Sequence, residues 1–170
     1  MWIYKIASKA IARRIEPMLS KLVHPEQTGF IKGRYIEENL RLSSDIMGQT
    51  QVNNTPGILK SVDFKKAFDS LEWFCIQSAL KKFNFGDSLG KWIEIFYMDI
   101  ESAALSNGFA TDWFKPSRGV RQECLLPPYL FILTAEIPSN KIRQNSTTKR
   151  ITTFGSDIKL SQLADDTNLC

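Results

Sequence analysis

Histidine is almost missing from this 170-residue chain; His24, in the loop V-H-P-E-Q, is the only one. A Ser-His-Asp triad or a histidine-ligated zinc centre would have to be built around that one side chain, which argues against both. Cysteine is also sparse. Cys75, Cys124 and Cys170 are odd in number, scattered and never at metal-ligand spacing. That usage argues against a zinc or disulfide framework and for a reduced, intracellular protein of nucleus or cytoplasm. Long apolar runs are lacking too. A membrane span needs ~20 apolar residues, and the best candidate, Y-L-F-I-L-T-A, falls far short of that. No membrane partner is expected.

What is present reads as a folded chain, with 43% hydrophobic and 24% charged residues. The length suits one domain or part of a larger one. Net charge is +4 and the pI about 9.0, with the excess gathered at one end. Lys5, Lys9, Arg13, Arg14, Lys21, Lys32 and Arg34 stand against only Glu16 and Glu26 in residues 1–34. Such a face fits nucleic-acid phosphates, although a solvated helix face explains it nearly as well. The acid-free start, M-W-I-Y-K-I-A-S-K-A-I-A-R-R-I, also has the profile of a transit peptide. Against that, Ile3, Ile6, Ala10, Ile11, Met18, Leu19 and Leu22 continue one apolar stripe into the domain.

Apolar periodicity predicts a helix over about 4–23, interrupted at Pro17, and another over 36–49 on Ile36, Leu40, Ile46 and Met47. A loop at 51–57 leads to a strand ending at Asp63. Helices follow on Trp73, Ile76, Leu80 and Phe83, and then from a cap at Ser88 through Phe96. Asn107-Gly108 marks a hairpin, after which come a helix over about 128–145 and two short strands flanking Gly155-Ser156. This order predicts an α+β fold, an antiparallel sheet covered by helices on one face with the other face free to form a cleft. Leu59, Ser61 and Asp63 share one strand face, while Ile58, Lys60, Val62 and Phe64 share the other, where Lys60 interrupts an otherwise buried row.

Two runs deliver carboxylates. G-I-L-K-S-V-D-F ends on Asp63, and K-L-S-Q-L-A-D-D-T-N-L-C carries Asp165 and Asp166. Brought together from separate strands, these three would offer the oxygen ligands that hard divalent cations need. Alone, the adjacent pair is equally an ordinary hairpin turn. Asp69 reads first as a capping box with Glu72 for a helix beginning near Leu71.

Several motifs occur in order: Q-T-G-F-I-K-G-R, D-F-K-K-A-F-D-S-L, N-G-F, S-R-G-V-R-Q and A-D-D. Together they closely resemble the reverse transcriptase domain of non-LTR retrotransposons, the long interspersed elements, along essentially the whole chain. The resemblance implies a right-hand polymerase, with residues 1–56 as partial, largely helical fingers and 57–170 as a partial palm. Asp63 and Asp165, the first of the pair, with Asp166 beside them, would be catalytic and bind two Mg²⁺ ions, or Mn²⁺, during nucleotidyl transfer to a primer 3′-hydroxyl. Phe64, Phe68, Gln122 and Arg121 would contact the deoxynucleoside triphosphate, with Phe68 as the ring that excludes a ribose 2′-hydroxyl. Gln27, Lys32, Arg34 and Arg118 would lie along the RNA template and DNA primer.

The chain departs from the family pattern in places. The loop usually reads R-Q-G-C-P-L-S-P and here reads R-Q-E-C-L-L-P-P, so Glu123 puts negative charge where triphosphate would approach; Leu125 and Pro127 are also substituted. Leu163 replaces the usual aromatic before A-D-D, Lys60 replaces an aliphatic residue, and Pro138 falls inside a helix. By the same resemblance the chain starts after an arginine-bearing fingers motif and lacks the thumb and any endonuclease, so little polymerase activity is expected from it alone. The expected function is an RNA-directed DNA polymerase domain fragment. The competing expectation is a non-catalytic nucleic-acid-binding remnant of a decayed retroelement. A metal-dependent phosphohydrolase ranks lower, because the histidines such sites recruit are missing.

Overall fold

The computed structural model describes residues 2–54, 58–121, 124–147, 150–153 and 156–169. It is a mixed helix and strand structure. Helix α1 (Trp2–Leu22) and α2 (Ile36–Val52) precede the short strand β1 (Lys60–Val62). Helices α3 (Ala67–Ser70), α4 (Trp73–Lys82) and α5 (Asp87–Tyr97) follow. A hairpin of β2 (Leu105–Ser106) and β3 (Phe109–Ala110) leads to α6 (Leu126–Gln144). Among the described residues that follow are the strands β4 (Ile151–Thr153), β5 (Ser156–Ile158), β6 (Leu160–Leu163) and β7 (Asp166–Leu169).

The core is shared between the two ends of the chain. α1 packs against α6, and α4 against both α5 and α6. Leu19, Ile76, Ile93, Leu130 and Ile132 are almost fully buried at these contacts. The inner face of α1 is Ser8, Ala12, Ile15 and Leu19, whereas Ile3 and Ile6 of the expected stripe are exposed. Pro17 does not interrupt α1, nor Pro138 α6. The carbonyls deprived of a helical partner belong to Arg13, which is exposed, and Thr134, which is half-buried, so that of Arg13 can turn to water. The Asn107-Gly108 hairpin forms as expected, both residues having positive φ (48° and 82°) as a tight primed turn requires.

Two helix starts differ from expectation. α4 begins at Trp73 with Glu72 rather than Asp69 at its N-cap, making no side-chain cap hydrogen bond, and Asp69 lies inside α3. α5 is capped by Gly86 rather than Ser88.

A three-stranded antiparallel sheet in the order β1-β7-β6 positions the aspartates. Ser61 lies opposite Asn168, and Asn168 opposite Ser161, so these three share one face. α2 approaches that face: Ser161 donates to Asn39 Oδ1 at 2.8 Å and Asn168 Nδ2 reaches Ser43 at 3.4 Å. α6 approaches the other, where Ser139 donates to Gln162 Oε1 at 2.9 Å. Helices therefore touch both faces, and the face expected to be free is partly roofed by α2. The row expected to be buried on β1 is largely open, with Ile58, Lys60 and Phe64 exposed. So short an edge strand has too little packed against it to bury them.

Candidate active site

The antiparallel register sets Val62 opposite Thr167 and so brings Asp63 beside Asp166 across adjacent strands. Both carboxylates line one pocket of about 300 Å³. Its walls are Ser61, Val62, Leu163 and Asn168 from the sheet and Ile36, Asn39 and Leu40 from α2. Asp63 and Asp166 are exposed, and Asp165 is half-buried in the turn that links β6 to β7. Leu163 contributes an aliphatic wall.

The donor set suits a hard cation. Mg²⁺ takes one or two carboxylates and completes its shell with water and substrate phosphate oxygens, which an open two-carboxylate pocket allows. Among the described residues, no three His, Cys, Asp or Glu side chains converge as a metal cluster. The pocket thus offers a pair of carboxylates with Asp165 as sequence neighbour.

The turn is tightly held. Leu163 pairs with Asp166, leaving Ala164 and Asp165 as a two-residue connection, and Ala164 has φ +54°. Gln27 is buried and spends its carboxamide on this turn. Its Nε2 donates to Ala164 O at 3.0 Å, while its Oε1 accepts from Ala164 N–H at 2.8 Å and Gly29 N–H at 2.9 Å. Residues 26–28 run beside β6: Thr28 N–H donates to Gln162 O at 2.9 Å and Gln162 N–H to Glu26 O at 2.8 Å. Asn39 adds a side-chain bond to Thr28 Oγ1 at 2.8 Å and another to Gln162 O.

Other residues singled out from the sequence fall around this frame. Arg34 folds back on the end of α1 and donates to His24 O and Gln27 O at 2.7 Å each, and to Val23 O at 3.0 Å. Phe68 is half-buried, its ring centroid 4.9 Å from that of Phe131 and 6.3 Å from that of Phe30. Phe64 is partly exposed and meets Phe131 edge-on at 6.5 Å. The Arg121 guanidinium lies 4.9 Å over the Tyr4 ring, a cation–π contact. Lys32 and Arg118 are exposed, as are Lys9, Arg13, Arg14 and Lys21 along α1. Gln122 and Glu123 lie outside the described residues; Leu125 is exposed before α6, while Pro127 is buried in its first turn.

Behind the 23–28 loop, Arg143 of α6 bridges two carboxylates, donating to Glu26 Oε2 at 3.1 Å and also to Glu136. Burial pushes both carboxyls above the usual carboxylate range, with Arg143 opposing the shift. Burial lowers His24, as do the nearby Arg143 and Arg34 charges. Lys159 is buried and closes the end of α6, donating to Arg143 O at 3.0 Å and to Asn145 O.

Asn39 and the bracing role of Gln27 were not foreseen. For Asn39 a signal existed, since by spacing it shares one helical face with Ile36, Ser43 and Ile46 and is a polar residue in that row.

The reverse transcriptase (RNA-dependent DNA polymerase) family matches residues 1–170. The chain belongs to the reverse transcriptase family, as its resemblance to the non-LTR domains led one to expect. It is 29% identical over 163 residues to the Transposon TX1 uncharacterized 149 kDa protein of Xenopus laevis, covering 96% of this chain and 12% of that protein. It is 26% identical over 125 residues to the Retrovirus-related Pol polyprotein from type-1 retrotransposable element R2 of Nasonia vitripennis, covering 74% of this chain and 12% of that protein. The chain thus spans about an eighth of these relatives' length. No helix among the described residues is long and apolar enough to cross a membrane.

Proposed function

We propose that this chain is the catalytic part of a retrotransposon reverse transcriptase, residues 57–170 forming the palm and 1–56 part of the fingers. One observation carries the reading: Asp63, the residue after β1, and Asp166, at the start of β7, line a single open pocket. Asp63 and Asp166, with Asp165 beside them, would hold divalent magnesium. When bound, the metal supplies electrostatic stabilisation of the attacking and leaving oxygens in phosphoryl displacement. The protein's share is to fix carboxylate positions and leave coordination sites open to substrate.

By the family resemblance Phe68 is the candidate sugar-discriminating ring, and its own contacts are with Phe131 and Phe30. Phe64, Gln122 and Arg121 are the candidate nucleotide contacts, and Lys32 and Arg118 the candidate strand contacts. Gln27 and Arg34 support the site from within the protein, their polar atoms being engaged with backbone. The exposed cations of α1 suit phosphate binding by counterion release.

The test is extension of a DNA primer on an RNA template by a full-length relative carrying residues 1–170 in place of its own matching segment. Magnesium-dependent product is expected. Asp63→Ala should reduce it by on the order of a thousandfold, since losing a metal ligand forfeits several kcal/mol. Product insensitive to Asp63→Ala would contradict the reading.

A non-catalytic nucleic-acid-binding remnant is the second reading, favoured by the want of a third converging carboxylate among the described residues. It predicts salt-dependent RNA binding by the same protein with no aspartate-dependent extension.

A further inference from the structure

The turn bearing Asp165 is backbone of an uncommon kind. Ala164 sits at φ +54°, in a region that costs a non-glycine residue of order 1 kcal/mol and that persists where surroundings over-determine it. Its surroundings do so. The Gln27 carboxamide brackets Ala164 from both sides, N–H and C=O, at 2.8 and 3.0 Å. Gly29 presses its backbone against the same residue so closely that a Cβ there would fall 2.4 Å from Ala164 N.

This contact is a lock on one residue rather than general packing. Ala164 is the residue immediately before the Asp165-Asp166 pair, and the two-residue turn leaves no slack between it and Asp166. A rotation at Ala164 therefore moves both aspartates relative to Asp63, which directly follows a different strand, β1. The bracket is itself anchored, because residues 26–28 are hydrogen-bonded to β6 and Asn39 ties Thr28 to Gln162 O.

We infer that Gln27, seated by Gly29, is a positioning residue that sets the Ala164-Asp165 turn and so aligns Asp165 and Asp166 with Asp63 for divalent-cation binding. The inference rests on the metal-site reading above. It assigns Gln27 no contact with substrate. Groups that orient the ligands of a metal typically change its affinity tenfold to a hundredfold when removed.

The test uses Mn²⁺ as probe on the 170-residue chain, with affinity from electron paramagnetic resonance and turn order from hydrogen exchange at the Ala164 amide. Gln27→Ala is compared with Gln77→Ala, which removes a remote side-chain bond to Gly90 O and controls for simple loss of stability. Gln27→Ala should weaken Mn²⁺ binding at least about tenfold and speed Ala164 exchange, while Gln77→Ala leaves both as in the parent. If the parent binds Mn²⁺ through its aspartates and Gln27→Ala binds within twofold of it, or Gln77→Ala weakens binding equally, the positioning role is overturned. If the parent shows no binding that Asp63→Asn and Asp166→Asn abolish, the metal-site reading itself fails and takes the inference with it.

Discussion

Gly29 and Gly48 show how far one residue's meaning depends on its surroundings. A Cβ at Gly29 would collide with the Ala164 backbone, whereas one at Gly48, inside α2, would meet nothing within 4 Å. Gly29→Ala should therefore cost about 1–3 kcal/mol, as forced overpacking does. Gly48→Ala should add about 0.5–1 kcal/mol by restricting the unfolded chain and improving helix propensity. Urea unfolding of the two variants checks both, and equal effects would contradict the account. At this scale the sequence was a partial guide. The placement of Asp63 at a strand end and of Asp165 and Asp166 at a hairpin turn was legible because strand ends and turns are local patterns. The bracing role of Gln27 was not, since its partner Ala164 is 137 residues away and no local pattern encodes such a contact. Arg34 was expected from the resemblance to lie along template and primer; the hydrogen bonds of its guanidinium to backbone carbonyls at the end of α1 are a feature of the fold that the motif does not encode.

Elements were legible where periodicity was strong. α2, β1, α4, the Asn107-Gly108 hairpin and α6 lie close to where apolar spacing and turn chemistry put them. Pro17 misled because a proline's cost falls when its orphaned carbonyl faces water, and exposure is a property of the fold. The helices also carry a pH-dependent device of packing. Glu136 of α6 is buried beside Arg143, and burial raises its carboxyl above 4.5. As pH climbs past 4.5 the unfolded chain ionises this group first, so the fold loses stability until the raised native value is passed. Relative to Glu136→Gln, the parent should thus become less stable as pH rises through that window and then level off. Urea midpoints of the two proteins across mildly acidic to neutral pH check this. A difference that is constant, or that grows in the parent's favour with pH, would contradict it.

Across the whole molecule, α1 from one end and α6 from the other share one core, so the proposed fingers and palm portions are not packed as separate bodies. That shared core holds the loop 23–28 against β6, and the loop in turn holds the aspartate turn. The α+β class was readable from the order of elements, while the placement of α2 over the acidic face was not, because which helix covers which face is decided by long-range packing. The central claim is that Asp63 and Asp166 form one divalent-cation site. It is tested most directly by Mn²⁺ titration of the chain and of Asp63→Asn and Asp166→Asn, read by electron paramagnetic resonance. The account predicts that each substitution weakens binding at least about tenfold while the thermal transition is kept. Binding that either variant retains at the parent's affinity would contradict it.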